Sequence, residues 1–236
     1  MTAPSACAVI VPAHDEAATL PATLRSLRAA ALGARHTGAE VLLVVVADAC
    51  TDGTAELAES ADALVVRVPF RNVGRARAAG ARAALRRLSA HGDALWLATT
   101  DADTVVPAGW LAHQVHRARD GWDCVAGTVR LAPHPALSPA RALRHEAHYF
   151  AGRPPGRAWR HPHVHGANLG VAADAYRAAG GFPPLAHGED RALVDRIEAA
   201  GRRILRTDSC PVLTSARDDF RAPEGFGAFL ARLPAG

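Results

Sequence analysis

The chain has 236 residues, 49% apolar and 21% charged, which suits one folded α/β domain and excludes a disordered chain. Its longest apolar run, Val41 to Ala47, has seven residues against the roughly 18 of a membrane span, and no basic segment leads into an apolar core at the N-terminus. The formal charge is +4 and all 27 basic residues are arginine, so no lysine serves a Schiff base or phosphate loop, while an aromatic content of 5% argues against nucleic acid as a partner.

Cys7 to Val11 reads as a buried strand closed by Pro12. Leu20, Leu24, Leu27 and Ala31 then recur at helical spacing, with Thr19 placed to cap and Pro21 tolerated in the first turn. Val41 to Ala47 is a second buried strand, followed by the turn Cys50-Thr51-Asp52-Gly53 and a helix over Thr54 to Ser60. Ala63 to Val68 is a third strand. Gly74 to Leu88 is a helix whose small face, Ala76, Ala79, Gly80, Ala83 and Ala84, predicts close approach to a sheet. Ala94 to Thr99 is a fourth strand, ending in Asp101-Ala102-Asp103. This alternation over the first 105 residues predicts a doubly wound, mostly parallel sheet with helices on both faces. Ligands of such sheets bind beyond the carboxyl ends of the strands, where Ala13 to Glu16, Asp48, Asp101 and Asp103 fall.

From Leu131 to Gly166 the texture changes to Pro, His and Arg, with six of the 12 histidines. A mobile excursion is expected there, with some helix over Ala140 to Phe150. A turn at Gly180-Gly181-Phe182-Pro183 follows, then a helix over Asp190 to Ala200, for which Gly201 is the C′ residue. The tail after Pro211 shows no strong period.

Asp101 and Asp103 lie two residues apart after a buried strand. In extended chain their carboxylates point the same way, roughly 6.5–7 Å apart, as hard oxygen ligands suited to Mg²⁺ or Mn²⁺. A solvated turn would carry the same residues. The order in which the remaining segments follow is more specific. Pro12-Ala-His-Asp-Glu16 comes after strand one and Asp48-Ala-Cys-Thr-Asp-Gly-Thr54 after strand two. Arg71-Asn-Val-Gly-Arg-Ala-Arg77 precedes the small-faced helix. His165-Gly-Ala-Asn168, Gly180-Gly-Phe-Pro183 and Gly188-Glu-Asp190 close the series.

In this order and spacing the set resembles the family 2 glycosyltransferases with their GT-A nucleotide-sugar fold, over about residues 7 to 230. The resemblance implies a single domain over 1–236, with a nucleotide-binding half (1–105) and an acceptor-binding half (106–236) that carries the 131–166 loop. It implies a nucleotide-sugar pocket lined by Pro12, Ala13, His14, Glu16, Asp48, Arg71, Asp101 and Ala102. Asp48 would meet the base, Glu16 the base or ribose, Arg71 the pyrophosphate and Asp101 the ribose and sugar. Asp103, joined by His187 as a second candidate, would hold Mn²⁺ or Mg²⁺ against the diphosphate. Asp190 would be the general base. His165, Gly166, Ala167, Asn168 and Glu189 would form the acceptor and sugar wall. The expected reaction is inverting transfer of one sugar from a nucleoside diphosphate sugar, UDP- or GDP-linked, to a hydroxyl acceptor.

Each residue also has a plainer reading. Asp48 would cap the turn before the Thr54 helix, Glu16 would complement a helix dipole, and Asp190 would be an N-cap. Arg71, Arg75 and Arg77 would be solvated charges at a helix start, a reading that weighs most for Arg75 and Arg77. His161, His163 and His165 alternate, so in extended chain they share one face that could hold a transition metal or touch the acceptor. Thr214 to Arg217 and Arg221 could close over the diphosphate. Cys7, Cys50, Cys124 and Cys210, spaced 43, 74 and 86 residues apart, match no zinc or disulfide pattern and read as free thiols of a cytoplasmic protein. The Gln-x-x-Arg-Trp motif of processive synthases is absent and no membrane helices follow, so a non-processive enzyme is expected, with contact to a membrane surface left open. Two rivals remain. A nucleotidyltransferase on a similar sheet would need a Gly-rich basic loop where this chain has Ala13-His-Asp-Glu16. A catalytically inactive nucleotide-binding partner protein would lack one of Asp101, Asp103 and Asp190, all of which are present.

Overall fold

Residues 3–133, 138–154 and 159–216 are described by the computed structural model. Along β1 (Ala6–Ala13), Ala6, Ala8 and Ile10 enter one apolar layer while Cys7, Val9 and Val11 enter the other. A strand buried on both faces is what a parallel sheet covered by helices demands. In chain order the elements continue with α1 (Leu20–Arg35), β2 (Glu40–Asp48), α2 (Thr54–Glu59), β3 (Leu64–Val68), α3 (Val73–Arg87), β4 (Leu95–Thr99) and β5 (Thr104–Val105). They end with α4 (Trp110–Arg119), β6 (Cys124–Leu131), α5 (Pro139–Tyr149), β7 (Leu169–Ala172), α6 (Ala173–Ala178), α7 (Glu189–Ala199) and β8 (Ile204–Thr214).

The eight strands form one sheet in the order β3-β2-β1-β4-β7-β6-β8-β5. β1, β2, β3 and β4 pair in parallel, as do β6 and β8, while β7 runs antiparallel to both β4 and β6, and β5 to β8. The expected mostly parallel sheet with helices on both faces is therefore present. Helices α1 and α4 cover one face through Leu24, Leu27, Trp110 and Leu111. On the other face α3, α6 and α7 pack through Ala76, Ala84, Tyr176, Leu193 and Ile197.

The small face of α3 does what its composition predicts. A Cβ added at Gly80 would stand 2.6 Å from Ile10 Cγ2 and 2.8 Å from Val46 Cγ2, so the helix backbone lies directly on β1 and β2. Helix α7 ends as expected at Gly201 (φ +70°). The Gly201 N–H donates to the Glu198 carbonyl and the Arg202 N–H to that of Ile197, which satisfies two carbonyls of the last turn.

Several boundaries differ from the sequence reading. β1 runs through Pro12, because its ladder with β4 stops at Ile10 and the residues beyond pair only with β2, where a missing N–H is tolerated. Thr19 is the N-cap of α1 but makes no side-chain cap; its hydroxyl donates instead to Glu16 Oε2 at 2.6 Å. β8 passes through Pro211, since the register with β6 shifts between Gly127 and Val129 and leaves room there for residues that do not pair. The 131–166 stretch contains α5, close to the expected helix; its residues 134–137 and 155–158, like Arg217 and Arg221, lie outside the described residues.

Candidate active site at the sheet rim

The carboxyl ends of β1, β2 and β4 open on one rim. Antiparallel β7 brings its beginning to the same rim, with Leu169 opposite Thr99. The end of β8 joins them, for Thr214 pairs with Thr104 and the Ser215 N–H donates to the Asp103 carbonyl at 3.2 Å. Loops from the two ends of the chain's order thus meet over β4.

Two of the loops are clasped together. Asp15 Oδ1 accepts from the Thr51 N–H at 2.6 Å, Asp52 Oδ2 accepts from the Ala17 N–H at 3.0 Å, and the Glu16 N–H donates to Thr54 Oγ1 at 2.8 Å. The Thr51 N–H holds the Asp15 carboxyl below the usual carboxylate range. His14 Nδ1 lies 2.7 Å from the Asp48 carbonyl. These bonds set the Pro12–Glu16 segment against the end of β2. Glu16 itself is buried, with its carboxylate on the Thr19 hydroxyl at the start of α1.

Asp48 is also buried, and its carboxylate binds the protein's own backbone. Oδ1 accepts from the Phe70 and Arg71 N–H groups and Oδ2 from that of Asn72 at 2.8 Å. Asp48 therefore fixes the loop that carries exposed Arg71, which is held at φ +46°, and not the turn before α2. Asn72 then caps α3, its Oδ1 accepting from the Arg75 N–H at 2.9 Å. Exposed Arg75 lies over the Phe70 ring at 4.0 Å.

Arg77 is not a solvated charge. Its side chain is 5% exposed, with Nη2 paired to Asp101 Oδ1 and Nη1 to Glu189 Oε1. It joins the end of β4 to the start of α7, two elements nearly 90 residues apart in the chain. Gly166 lies against the guanidinium, its N–H donating to Asp190 Oδ2 at 2.6 Å and its carbonyl accepting from Thr99 Oγ1 at 2.6 Å. Asp190 is in the first turn of α7, inside the helix and not at its cap, where the dipole favours negative charge. Thus Asp101, Arg77, Glu189, Asp190 and Gly166 form one connected group.

The geometry expected of Asp101 and Asp103 is corrected. Residues 101–103 form a turn, closed by the Thr104 N–H on the Asp101 carbonyl at 3.2 Å, so the two acids do not sit on extended chain. Asp101 faces Arg77; Ala102 is buried and its carbonyl accepts from Thr23 Oγ1 at 2.9 Å. Two residues expected on the acceptor wall point inward. Asn168 is 2% exposed, with Nδ2 on the Thr128 and Cys210 carbonyls and Oδ1 on Trp110 Nε1, so it braces β6, β8 and α4. Glu189 is buried on Arg77, because the guanidinium charge needs a second carboxylate once it leaves water.

The alternating histidines build a ring stack. His163 lies on Tyr149 with centroids 3.9 Å apart, flanked by His161 at 5.7 Å and His165 at 6.0 Å. His161 Nε2 and His163 Nε2 meet the carbonyls of Thr207 and Tyr149. Burial pushes His165 down to about 4, against the opposing charge of Asp190. Among the described residues the grouping with metal-ligand spacing is Asp15, Cys50 and Asp52, and the histidine trio is not one. His187 is exposed in the loop before α7. All four cysteines are free, and burial raises the Cys7 and Cys124 thiols to about 12.

Residues 8–179 match the family model described as glycosyl transferase family 2, which is most of the chain. The chain belongs to that family. Among solved structures, it resembles Staphylococcus aureus TarS 1–349 in complex with UDP-GlcNAc, with a TM-score of 0.67 and 15% identity, covering 93% of this chain and 61% of that one. It also resembles the mannosyltransferase PcManGT of Pyrobaculum calidifontis in complex with GDP-Man and Mn²⁺, at 0.62 and 22%, covering 90% and 57%. A third is glucosyl-3-phosphoglycerate synthase of Mycobacterium tuberculosis with Mn²⁺, UDP and phosphoglyceric acid, at 0.53 and 20%, covering 86% and 68%. These likenesses establish the GT-A fold, and this chain spans less than two thirds of the first two structures. No curated protein matches by sequence. Within this family 2 domain the residue the sequence reading missed is Arg77. A signal was present: Gly80, Ala81 and Ala84 lie three, four and seven positions on, which puts Arg77 on the buried face of α3.

Proposed function

We propose that this family 2 domain is a metal-dependent, inverting, non-processive glycosyltransferase that moves one sugar from a nucleoside diphosphate donor to a hydroxyl acceptor. The observation that supports it most is the gathering of Asp101, Glu189 and Asp190 around Arg77 at the rim where β1, β2 and β4 end. In this reading the donor-side acid Asp101 and the base Asp190 belong to one connected group. Residues up to 105 form the nucleotide half, with the clasped Pro12–Glu16 and Asp48–Thr54 loops beside the base and Arg71 beside the diphosphate. Later residues form the acceptor half. A UDP- or GDP-sugar is the donor class.

Asp103 fits a divalent cation. It is a half-buried carboxylate on the turn after β4, and Mg²⁺ or Mn²⁺ takes one or two such oxygens and fills its shell from phosphate and water. When bound there, the ion supplies positive charge against the leaving diphosphate. Asp190, at the start of α7, accepts the proton of the acceptor hydroxyl as its oxygen bonds to the anomeric carbon. The bond from that carbon to the phosphate oxygen breaks and its electron pair leaves with the nucleoside diphosphate. One such displacement inverts the anomeric centre. No helix among the described residues is long and apolar enough to cross a membrane, and a cytoplasmic site of action is part of this proposal.

Thermal-shift screening of UDP, GDP, dTDP and CDP with Mn²⁺ tests the reading. A nucleotide at about 100 times its Kd should raise Tm by about 5 °C or more. No shift with any of the four would refute it, and binding without sugar release would leave only an inactive nucleotide-binding protein.

A further inference from the structure

We infer that Arg77 is a positioning residue that fixes the separation between the donor-side acid Asp101 and the base Asp190. This rests on the glycosyltransferase reading of the site.

Arg77 is well placed to set a distance. Its root is rigid, because α3 lies directly on β1 and β2 at Gly80, one turn further on. Its two Nη groups hold one carboxylate each, Asp101 on the β4 side and Glu189 on the α7 side. Glu189 precedes Asp190 in the first turn of α7, so fixing one fixes the other. A second route runs through Gly166, which lies on the guanidinium and donates its N–H to Asp190 Oδ2. Both routes start from one planar group whose donors have a fixed fork geometry.

Stability does not account for this arrangement. The buried Arg77–Glu189 pair contributes little beyond what well-packed apolar residues of similar volume would, because desolvation offsets most of the attraction, and Asp101 joins it from a partly exposed position. Alanines dominate the rest of that helix face, and an apolar side chain at position 77 would extend them. What the guanidinium adds is a two-pronged link between elements whose relative placement decides whether base and donor line up. Lysine keeps the charge but presents a single point donor, so it separates the two contributions.

The experiment compares the wild-type chain with Arg77→Lys, Glu189→Gln and the double variant. UDP and GDP affinity in Mn²⁺ is measured by calorimetry. Turnover is measured as UDP or GDP release from UDP-glucose, UDP-N-acetylglucosamine and GDP-mannose with water as acceptor. Arg77→Lys should lower kcat about 100-fold while KM and nucleotide Kd stay within about threefold, since misplacement by about 1 Å costs that much in rate. The double variant should be no slower than the worse single variant, because the two residues act as a unit. Retained kcat in Arg77→Lys, or losses that multiply in the double variant, would overturn the inference. If Arg77→Lys does not fold by circular dichroism, Glu189→Gln decides alone, and wild-type kcat in that variant overturns it. A wild-type chain that neither binds nor releases nucleotide sinks the glycosyltransferase reading instead, so the two failures differ.

Discussion

Gly166→Ala adds one methyl group at the centre of the connected acids. The Gly166 backbone is not in the left-handed region, so alanine is conformationally acceptable and the effect is steric. Its Cβ would stand 2.5 Å from Arg77 Nη1 and closer still to Nη2 and Cζ. That is about 1 Å inside ordinary contact, and a buried guanidinium held by two carboxylates has nowhere free to go. Overpacking of this kind costs about 1–3 kcal/mol of stability. A 1 Å displacement passed to Asp101 and Asp190 should cost about 100-fold in turnover. Urea unfolding reads the first and nucleotide release from a UDP- or GDP-sugar the second. Turnover within about threefold of wild type, together with a stability loss below about 0.5 kcal/mol, would show that Gly166 does not press on Arg77 in solution.

Asp103→Ala should abolish Mn²⁺-dependent nucleotide binding in calorimetry, and unchanged affinity and activity would remove its metal role. Asp190→Asn should bind nucleotide nearly as wild type while transfer falls about 10²- to 10⁴-fold, the range of a lost general base; near-normal transfer would exclude it. Stability should fall in acid through the buried imidazoles. Burial pushes both His165 and His145 down to about 4, below the ordinary 6.5, so from pH 6.5 down to 4 the unfolded chain binds protons that the native state refuses. Each histidine then removes at most about 1.4 kcal/mol per pH unit over that window, with no effect above it. Urea midpoints at pH 7, 6 and 5 check this, and a flat series would contradict it.

The two halves of the chain differ in how openly they show themselves. In the first 105 residues β1 to β4 pair in parallel with one another, only β4 also meeting an antiparallel strand, so apolar runs and the turns between them map directly onto β1 to β4. The second half builds strands from distant segments. β6 gains parallel β8 only after some 75 further residues, and β7 enters antiparallel between β4 and β6. Local pattern carries little of that. Pro211 illustrates the point: it reads as a breaker, yet the register shift against β6 takes it into β8.

The site followed a similar division. Residues at a strand end or helix start, such as Asp48, Asp101 and Asp190, were legible as candidates by order alone. Their partners were not, because partnership depends on which face of an element is buried. Asn168 and Glu189 were expected on the acceptor wall from the family resemblance alone. Burial turns both inward, one to brace three elements and the other to neutralise Arg77. Arg77 is the clearest case. Counting charges groups it with Arg71 and Arg75 at a helix start, whereas helical spacing groups it with Gly80, Ala81 and Ala84. The two criteria conflict, and the fold follows the spacing: two carboxylates from distant elements supply the compensation that a buried cation requires. A charged residue on an otherwise small, apolar helix face is therefore itself evidence that acids converge on that point, and here one of them, Asp101, is the donor-side acid of the proposal while the other, Glu189, adjoins its base.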